Sequence, residues 1–176
     1  MPAEDMEVSE NNSLIQFAIS LSEQKTELDK SYFEQFIQPA WEAFEKIYSE
    51  YAESVKKNME FLESEEFQYK TLLDEIQHGS LHVQRLRWEF IRGLAQIHHS
   101  EHHSESNWFD SVILFSLSVE EYLSYQGIIG TVFQVNCGRN DIKQMKKFLE
   151  DTQVDIQGLY QKAVNEYHKL SAFLIT

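Results

Sequence analysis

This chain of 176 residues is poor in the residue types that cross-link or break a fold, with one cysteine, two prolines and six glycines. A single cysteine excludes an internal disulfide and a zinc site built from several thiolates. No apolar run approaches the roughly 20 residues that span a bilayer, and the acidic N-terminus lacks the features of a secretory signal. We therefore expect a cytoplasmic protein that does not bind membranes.

Basic residues are also scarce, because 15 Lys and Arg stand against 29 Asp and Glu, for a net charge of −14 at pH 7. Direct binding to nucleic acid needs clustered positive charge, so we expect none. The imbalance is greatest in residues 1–80, which hold 18 acids and 6 lysines. The simplest interpretation of this acidic half is a solvated helix face. The alternatives are a docking surface for a basic protein partner and a mimic of nucleic-acid charge.

What the chain does have is a seven-residue apolar repeat, in a row formed by Trp41, Tyr48, Val55, Leu62, Tyr69, Ile76, Val83, Phe90 and Ile97. A strict repeat of seven places these side chains along one seam of a helix, where a partner helix can cover them. No Gly or Pro interrupts residues 40–78. We therefore predict one very long helix over about 40–99, roughly 90 Å long. Polar Asn58 and Glu65 on the neighbouring row support the alternative, two helices broken near 62–67.

Capping signals and helical periodicity predict further helices over about 13–29, 107–136 and 141–174. Residues 1–11 are expected to form a flexible acidic tail, 12–176 a single helical domain, and the histidine-rich stretch 98–106 a connection. Pro39 is expected to break or kink the chain ahead of the long helix. No strand pattern is present, so the fold class is all-α, an antiparallel helical bundle or coiled coil built around the long helix.

Two features of the seam have structural consequences. Gly79 and Gly93 on the neighbouring row predict close helix crossings. The aromatic side chains at spacings of three and four are expected to lie in the core or along the seam, and they are Trp41, Phe44, Tyr48 and Tyr51. If the later helices leave part of the seam uncovered, a second copy of the protein is expected to cover it.

A metal site is one candidate for chemistry. Glu75, His78 and His82 are spaced by three and four residues, which places them on one helix face in an arrangement that could ligate zinc or iron. Such a site needs ligands from a second helix, and the candidates are Glu120, Glu121, Glu166 and His168. The alternative is a helix surface with two exposed histidines. Apart from a zinc or iron ion at this site, we expect no cofactor.

A second candidate is formed by Arg92 and His98, which five residues separate. This spacing is similar to the short active-site motif of HEPN ribonucleases, which are all-α and often dimeric. The resemblance covers seven residues and implies that Arg92 holds the scissile phosphate while His98 acts as acid or base. Gly93 departs from the family, which usually has a polar residue after the arginine. The alternative is that Arg92 pairs with acidic residues.

Taken together, these patterns favour a non-enzymatic, intracellular helical interaction protein such as a scaffold, an adaptor or an inhibitor. It is expected to self-associate through the seam and to dock a partner on its acidic half. The alternative functions are an all-α ribonuclease that uses Arg92 and His98, and a metal-dependent bundle enzyme built on Glu75, His78 and His82.

Overall fold

The computed structural model describes residues 2–23, 30–98 and 107–174, and within these ranges the chain forms helices and no strand. The elements in order are α1 (Pro2–Ser22), a short α2 (Lys30–Tyr32), a π-helical turn (Phe33–Ile37), α3 (Gln38–Leu62), α4 (Tyr69–His98), α5 (Asn107–Asn136) and α6 (Ile142–Ser171). The predicted all-α fold is confirmed. Most of the predicted connection at 98–106 lies outside the described residues, as does the end of the helix predicted to reach residue 29.

The four long helices form an antiparallel bundle. Helix α4 packs against α5, α5 against α6, and α6 against α3. Hydrogen bonds between helices show that α4 and α5 are antiparallel. The Gln77 amide donates to Gln134, and the Gln84 amide, one turn or more further along α4, donates to the Gly127 carbonyl earlier in α5. Helix α1 lies between α3 and α4 and contacts both, whereas α3 and α4 contact each other less than the other neighbours do.

The seven-residue row is the inner face of this bundle. Trp41 stacks on Tyr167 with ring centroids 4.6 Å apart, and Tyr48 stacks on Tyr160 at 3.8 Å. The described members of the row are buried or half-buried within the single chain. The row is thus covered within the single chain. Self-association stays a prediction.

The single helix predicted over about 40–99 is wrong, and the alternative break near 62–67 is where the chain reverses. Helix α3 ends at Leu62, and the next residues fold back on it, with the Ser64 hydroxyl donating to the Phe61 carbonyl at 2.8 Å. Serine side chains compete for helix carbonyls in this way. The seven-residue spacing of the apolar row continues across the turn. Leu62 before the turn is buried, Tyr69 after it is half-buried, and both pack in or against the core. A repeat of seven is therefore compatible with a reversal.

Pro39 does not break the helix. The chain widens into the π-helical turn just before it, where the Gln38 N–H bonds to the Phe33 carbonyl. Since proline has no N–H, this wider turn lets the helical path continue where a regular hydrogen bond is missing. Pro39 then lies in the first turn of α3, a position that proline favours.

The first helix begins earlier in the chain than predicted, whereas the start of the last helix agrees with the prediction. Helix α1 begins at Pro2 rather than near residue 13, and it ends at Ser22. Proline suits a first helical position because no N–H is needed there. The flexible tail at 1–11 and the single domain at 12–176 stay predictions. Helix α6 starts as predicted, because the Asp141 side chain accepts a hydrogen bond from the Gln144 N–H at 3.0 Å.

Both glycines of the second row lie at close crossings, as predicted. A Cβ on Gly93 would lie 2.7 Å from the Ala18 Cβ of α1, and a Cβ on Gly79 would lie 3.1 Å from the Tyr51 ring of α3. At the far end of the bundle, buried Cys137 follows α5, and the Tyr69 hydroxyl donates to its carbonyl at 3.3 Å. Burial raises the pKa of the Cys137 thiol. Across the described ranges, no helix combines the length and apolar character that crossing a bilayer needs.

Candidate functional site

A surface groove lies between α3 and α4. It comprises two adjoining depressions of about 550 and 180 Å³ that share Glu50 and Ser54. The larger contains Glu53, Asn58 and Glu75, and the smaller contains Tyr51, His78, His82 and Gln126. We call this surface the α3/α4 groove. Its walls come from α3 and α4, and one lining residue, Gln126, comes from α5.

The floor of the smaller depression contains a buried amide. Gln126 is 2% exposed, and its Nε2 donates to the Gly79 carbonyl at 3.0 Å. That bond sets the orientation of the amide, because the opposite orientation would place two carbonyl oxygens together. The Gln126 Oε1 is buried and has no hydrogen-bond partner. An unsatisfied buried acceptor costs about 1–3 kcal/mol, so a donor brought to this oxygen would be stabilising.

Buried phenols lie next to this amide. Tyr51 lines the depression, and Tyr122, one helical turn before Gln126, is fully buried with a hydroxyl that has no partner. Burial raises the pKa of Tyr51 and of Tyr122 well above the usual value for tyrosine. Both phenols therefore stay neutral at physiological pH.

The charge of the groove is negative. Glu50, Glu53 and Glu75 line it, against the single ammonium group of Lys57 in the same depression. Glu50 is exposed and lies 3.9 Å from Lys46, a distance at which an exposed ion pair contributes little. The groove therefore presents carboxylates at its mouth and a neutral acceptor at its floor.

The predicted metal ligands Glu75, His78 and His82 all lie along this groove, on the α4 side. Of the second-helix candidates, Glu120 pairs with Arg87 at 3.7 Å and Glu121 with Lys162 at 2.6 Å. Glu166 and His168 lie on α6, where Glu166 pairs with Lys169. Over residues 2–23, 30–98 and 107–174, no group of three or more His, Cys, Asp or Glu side chains is arranged to hold a metal ion.

Arg92 and His98 lie on the last turns of α4. Arg92 is exposed, and the side chain of His98 lies outside the described residues. Six positions along an α-helix rotate the second side chain by about 240° and move it about 9 Å along the axis, so one helix does not bring such a pair together by itself. The ribonuclease assignment stays a prediction.

The aromatic residues at the start of α3 belong to the core, as predicted. Trp41, Phe44 and Tyr51 are buried, and Tyr48 is half-buried against Tyr160. The Tyr160 hydroxyl donates to Glu45 at 3.2 Å, which gives the polar tip of this stack a partner.

Sequence reasoning missed Gln126. Its neighbours along the buried face of α5 are apolar or aromatic, with Tyr122 one turn before it and Ile129 one turn after it. A polar residue within such a face was the available signal, since buried polar groups need partners. No family model matches the chain, and no curated protein and no solved structure matches it significantly.

Proposed function

We propose that this protein is a non-enzymatic, cytoplasmic helical interaction module that forms a homodimer through the outer face of α4 and α5. The observation that carries this proposal is a set of large apolar side chains exposed on two adjacent helices. They are Leu81 and Trp88 of α4, and Leu114, Leu117, Ile128 and Val135 of α5. We call this surface the outer face. A scaffold, adaptor or inhibitor would use it in the same way.

These side chains form two rows. Leu81 and Trp88 are seven positions apart on α4, as are Ile128 and Val135 on α5, so each pair lies along one side of its helix. The polar bonds from Gln84 to Gly127 and from Arg87 to Ser124 join the helices between the two rows. Trp88 and Leu81 are each 61% exposed and Val135 is 77% exposed, so this apolar area is uncovered within the chain. Uncovered patches of this kind mark interaction sites.

Charge favours a second copy as the occupant. Residues 1–68 carry 16 acids and 5 lysines, whereas α4 carries four bases and three acids and α5 only three acids. Two copies that meet through α4 and α5 keep their strongly acidic first halves apart, which lowers the repulsion between two chains of charge −14.

The size of the face fits a stable dimer. Each of the two helices has 30 residues. At 1.5 Å per residue and a spacing near 10 Å, two such helices present about 900 Å². A standard interface buries about 800 Å² on each partner.

The test is the oligomeric state of Leu81→Asp/Ile128→Asp, measured by sedimentation over a range of concentrations with CD as a check on folding. We expect the parent protein to dimerise and the double variant to dissociate at least about tenfold more readily, because central apolar side chains dominate interface energies. The matched control is Val154→Asp on α6, where the valine is 67% exposed but lies off the outer face. A monomeric parent protein, or equal weakening by the control, would contradict the proposal.

We also propose that the acidic surface of α3 docks a basic partner. Its carboxylates at Glu42, Glu45, Glu50, Glu53 and Glu60 are exposed. Such a surface accelerates encounter with positively charged proteins and makes the association sensitive to salt. Substituting these five residues with glutamine is expected to slow association with a basic partner, while dimerisation through the outer face is retained. An unchanged association rate would contradict this part of the proposal.

A further inference from the structure

We propose that the α3/α4 groove is a binding site for a primary alkylammonium group. The starting point is the buried Oε1 of Gln126, which lacks a partner although the Nε2 of the same amide is bonded to Gly79. The amide cannot rotate to satisfy its oxygen without losing that bond. A ligand at this site must therefore bring a hydrogen-bond donor.

The charges around the groove select the kind of donor. Glu50 lies on the rim of both depressions, and Glu53 and Glu75 continue the acidic lining of the larger one. Lys57 offsets only part of this negative charge. A cationic donor gains from these carboxylates, whereas a phosphate or carboxylate ligand is repelled. Among the described residues, no group of three or more His, Cys, Asp or Glu side chains is arranged to hold a metal ion.

The size and lining of the groove further restrict which ligands fit. The smaller depression has about 180 Å³, below the 300–1,000 Å³ of sites for drug-sized molecules, and it suits one alkyl arm. Ile47 and the ring of Tyr51 supply apolar walls for methylene groups, and an aromatic face attracts an ammonium ion. The adjoining depression of about 550 Å³ leaves room for the rest of the molecule beside Glu53 and Glu75.

Gly79 contributes to the shape of this site. Its missing side chain lets α4 approach Tyr51, since a Cβ there would lie 3.1 Å from the Tyr51 ring. The same residue supplies the carbonyl that holds the Gln126 amide. One glycine therefore sets both the wall and the floor of the depression.

Two sources share this chemistry, a free aliphatic amine and the lysine side chain of a protein partner. Calorimetric titration with 1,5-diaminopentane tests the first, and titration with a peptide whose only charged group is one lysine side chain tests the second. Saturable binding in either arm supports the site, and the arm with the higher affinity identifies the source. Absence of binding in both arms overturns the inference.

Three variants locate the binding. Glu50→Gln, at an exposed position that does not threaten folding, is expected to weaken binding about tenfold or more, as loss of a charge-assisted hydrogen bond does. Gln126→Met keeps the length of the side chain but removes the floor acceptor, and it is expected to weaken binding to a similar extent. Glu150→Gln makes the same charge change on exposed α6 and should leave the affinity within about twofold, since its carboxylate is not part of the groove.

Equal weakening by Glu50→Gln and Glu150→Gln would mean non-specific attraction to an acidic protein and would overturn the site. The inference does not rest on the proposed dimer. Leu81→Asp/Ile128→Asp, which disrupts the outer face, is expected to bind the amine as the parent protein does. Failure of the groove and failure of the dimer are therefore separate results.

Discussion

At the scale of single residues, Gly93 and Gly158 are both glycines within helices, but their surroundings are opposite. A Cβ on Gly93 would lie 2.7 Å from the Ala18 Cβ and 3.2 Å from the Ala18 backbone carbon, whereas a Cβ on Gly158 would meet nothing within 4 Å. We expect Gly93→Ala to lower the free energy of unfolding by about 1–3 kcal/mol. The added methyl group would clash with the backbone of α1, which must shift to make room for it. Gly158→Ala should raise the free energy of unfolding by about 0.5–1 kcal/mol through helix propensity.

Urea unfolding followed by CD measures both values on the same protein. If alanine stabilises the chain equally at both positions, α1 does not pack on α4 as described. The pair thus separates a packing effect from the general benefit of removing a helical glycine.

Some of these residue-level features could be predicted from the sequence and others could not. Gly93 and Gly79 occupy one helical row, and that regular spacing predicts a crossing. Gln126 and its unpaired oxygen have no such periodic signature, because the missing partner depends on where the Gly79 carbonyl lies in three dimensions. The histidines were singled out for their spacing, yet spacing within one helix says nothing about the ligands that the other helices supply.

At the scale of elements, the turn at residues 63–68 is the feature that the apolar repeat by itself does not indicate. The apolar repeat continues through it, because Leu62 and Tyr69 stand seven positions apart on either side of the reversal and both side chains lie towards the core. A repeat of seven records which face is apolar, and it does not record the direction of the chain. The polar residues Asn58 and Glu65 were the signal that favoured a break.

A glycine pair inserted between Glu65 and Glu66 tests this turn. We expect a loss of only a few tenths of a kcal/mol, since lengthening a flexible loop costs little. The control is the same insertion between Val55 and Lys56, which rotates the rest of the α3 row by about 200° and adds about 2 kcal/mol of unfavourable helix propensity. Thermal unfolding compares the two. Equal damage at both positions would favour a continuous helix.

At the scale of the whole molecule, several tyrosines have pKa values in the folded state that differ from those in the unfolded chain. Burial raises the pKa of Tyr32 and of Tyr160 to about 12, and it also raises the pKa values of Tyr51, Tyr122 and Tyr125 well above the usual value for tyrosine. In the unfolded chain these phenols ionise near pH 10. The stability they contribute is therefore fully present below about pH 10 and is lost as pH rises towards 12, where the unfolded state releases protons that the folded state retains.

We expect the tyrosine contribution to the free energy of unfolding to be constant below about pH 10 and to fall steeply above it. Phenolate absorbance and far-ultraviolet CD should change together, since ionisation of the buried rings requires unfolding. Tyr122→Phe should make the decline shallower and should also be neutral or slightly stabilising at neutral pH, because it removes a buried hydroxyl without a partner. Complete phenolate formation in a protein that keeps its native CD would contradict this expectation.

The fold class and most helix positions follow from apolar periodicity, but the surfaces proposed to carry the function do not. The outer face exists because α4 lies beside α5, so that Trp88 and Ile128 share one side of the bundle. Neighbour relations of this kind depend on packing over the entire chain, and a repeat within one helix carries no information about them.

The position of Cys137 has a practical consequence. The chain has a single sulfhydryl, and it is buried where α5 ends, beneath the hydrogen bond from Tyr69. A thiol reagent can reach it only when the end of the bundle opens, and burial has raised the pKa of the thiol, which further slows its reaction. The labelling rate of the natural protein therefore reports the opening of the α5–α6 end, without any engineered probe.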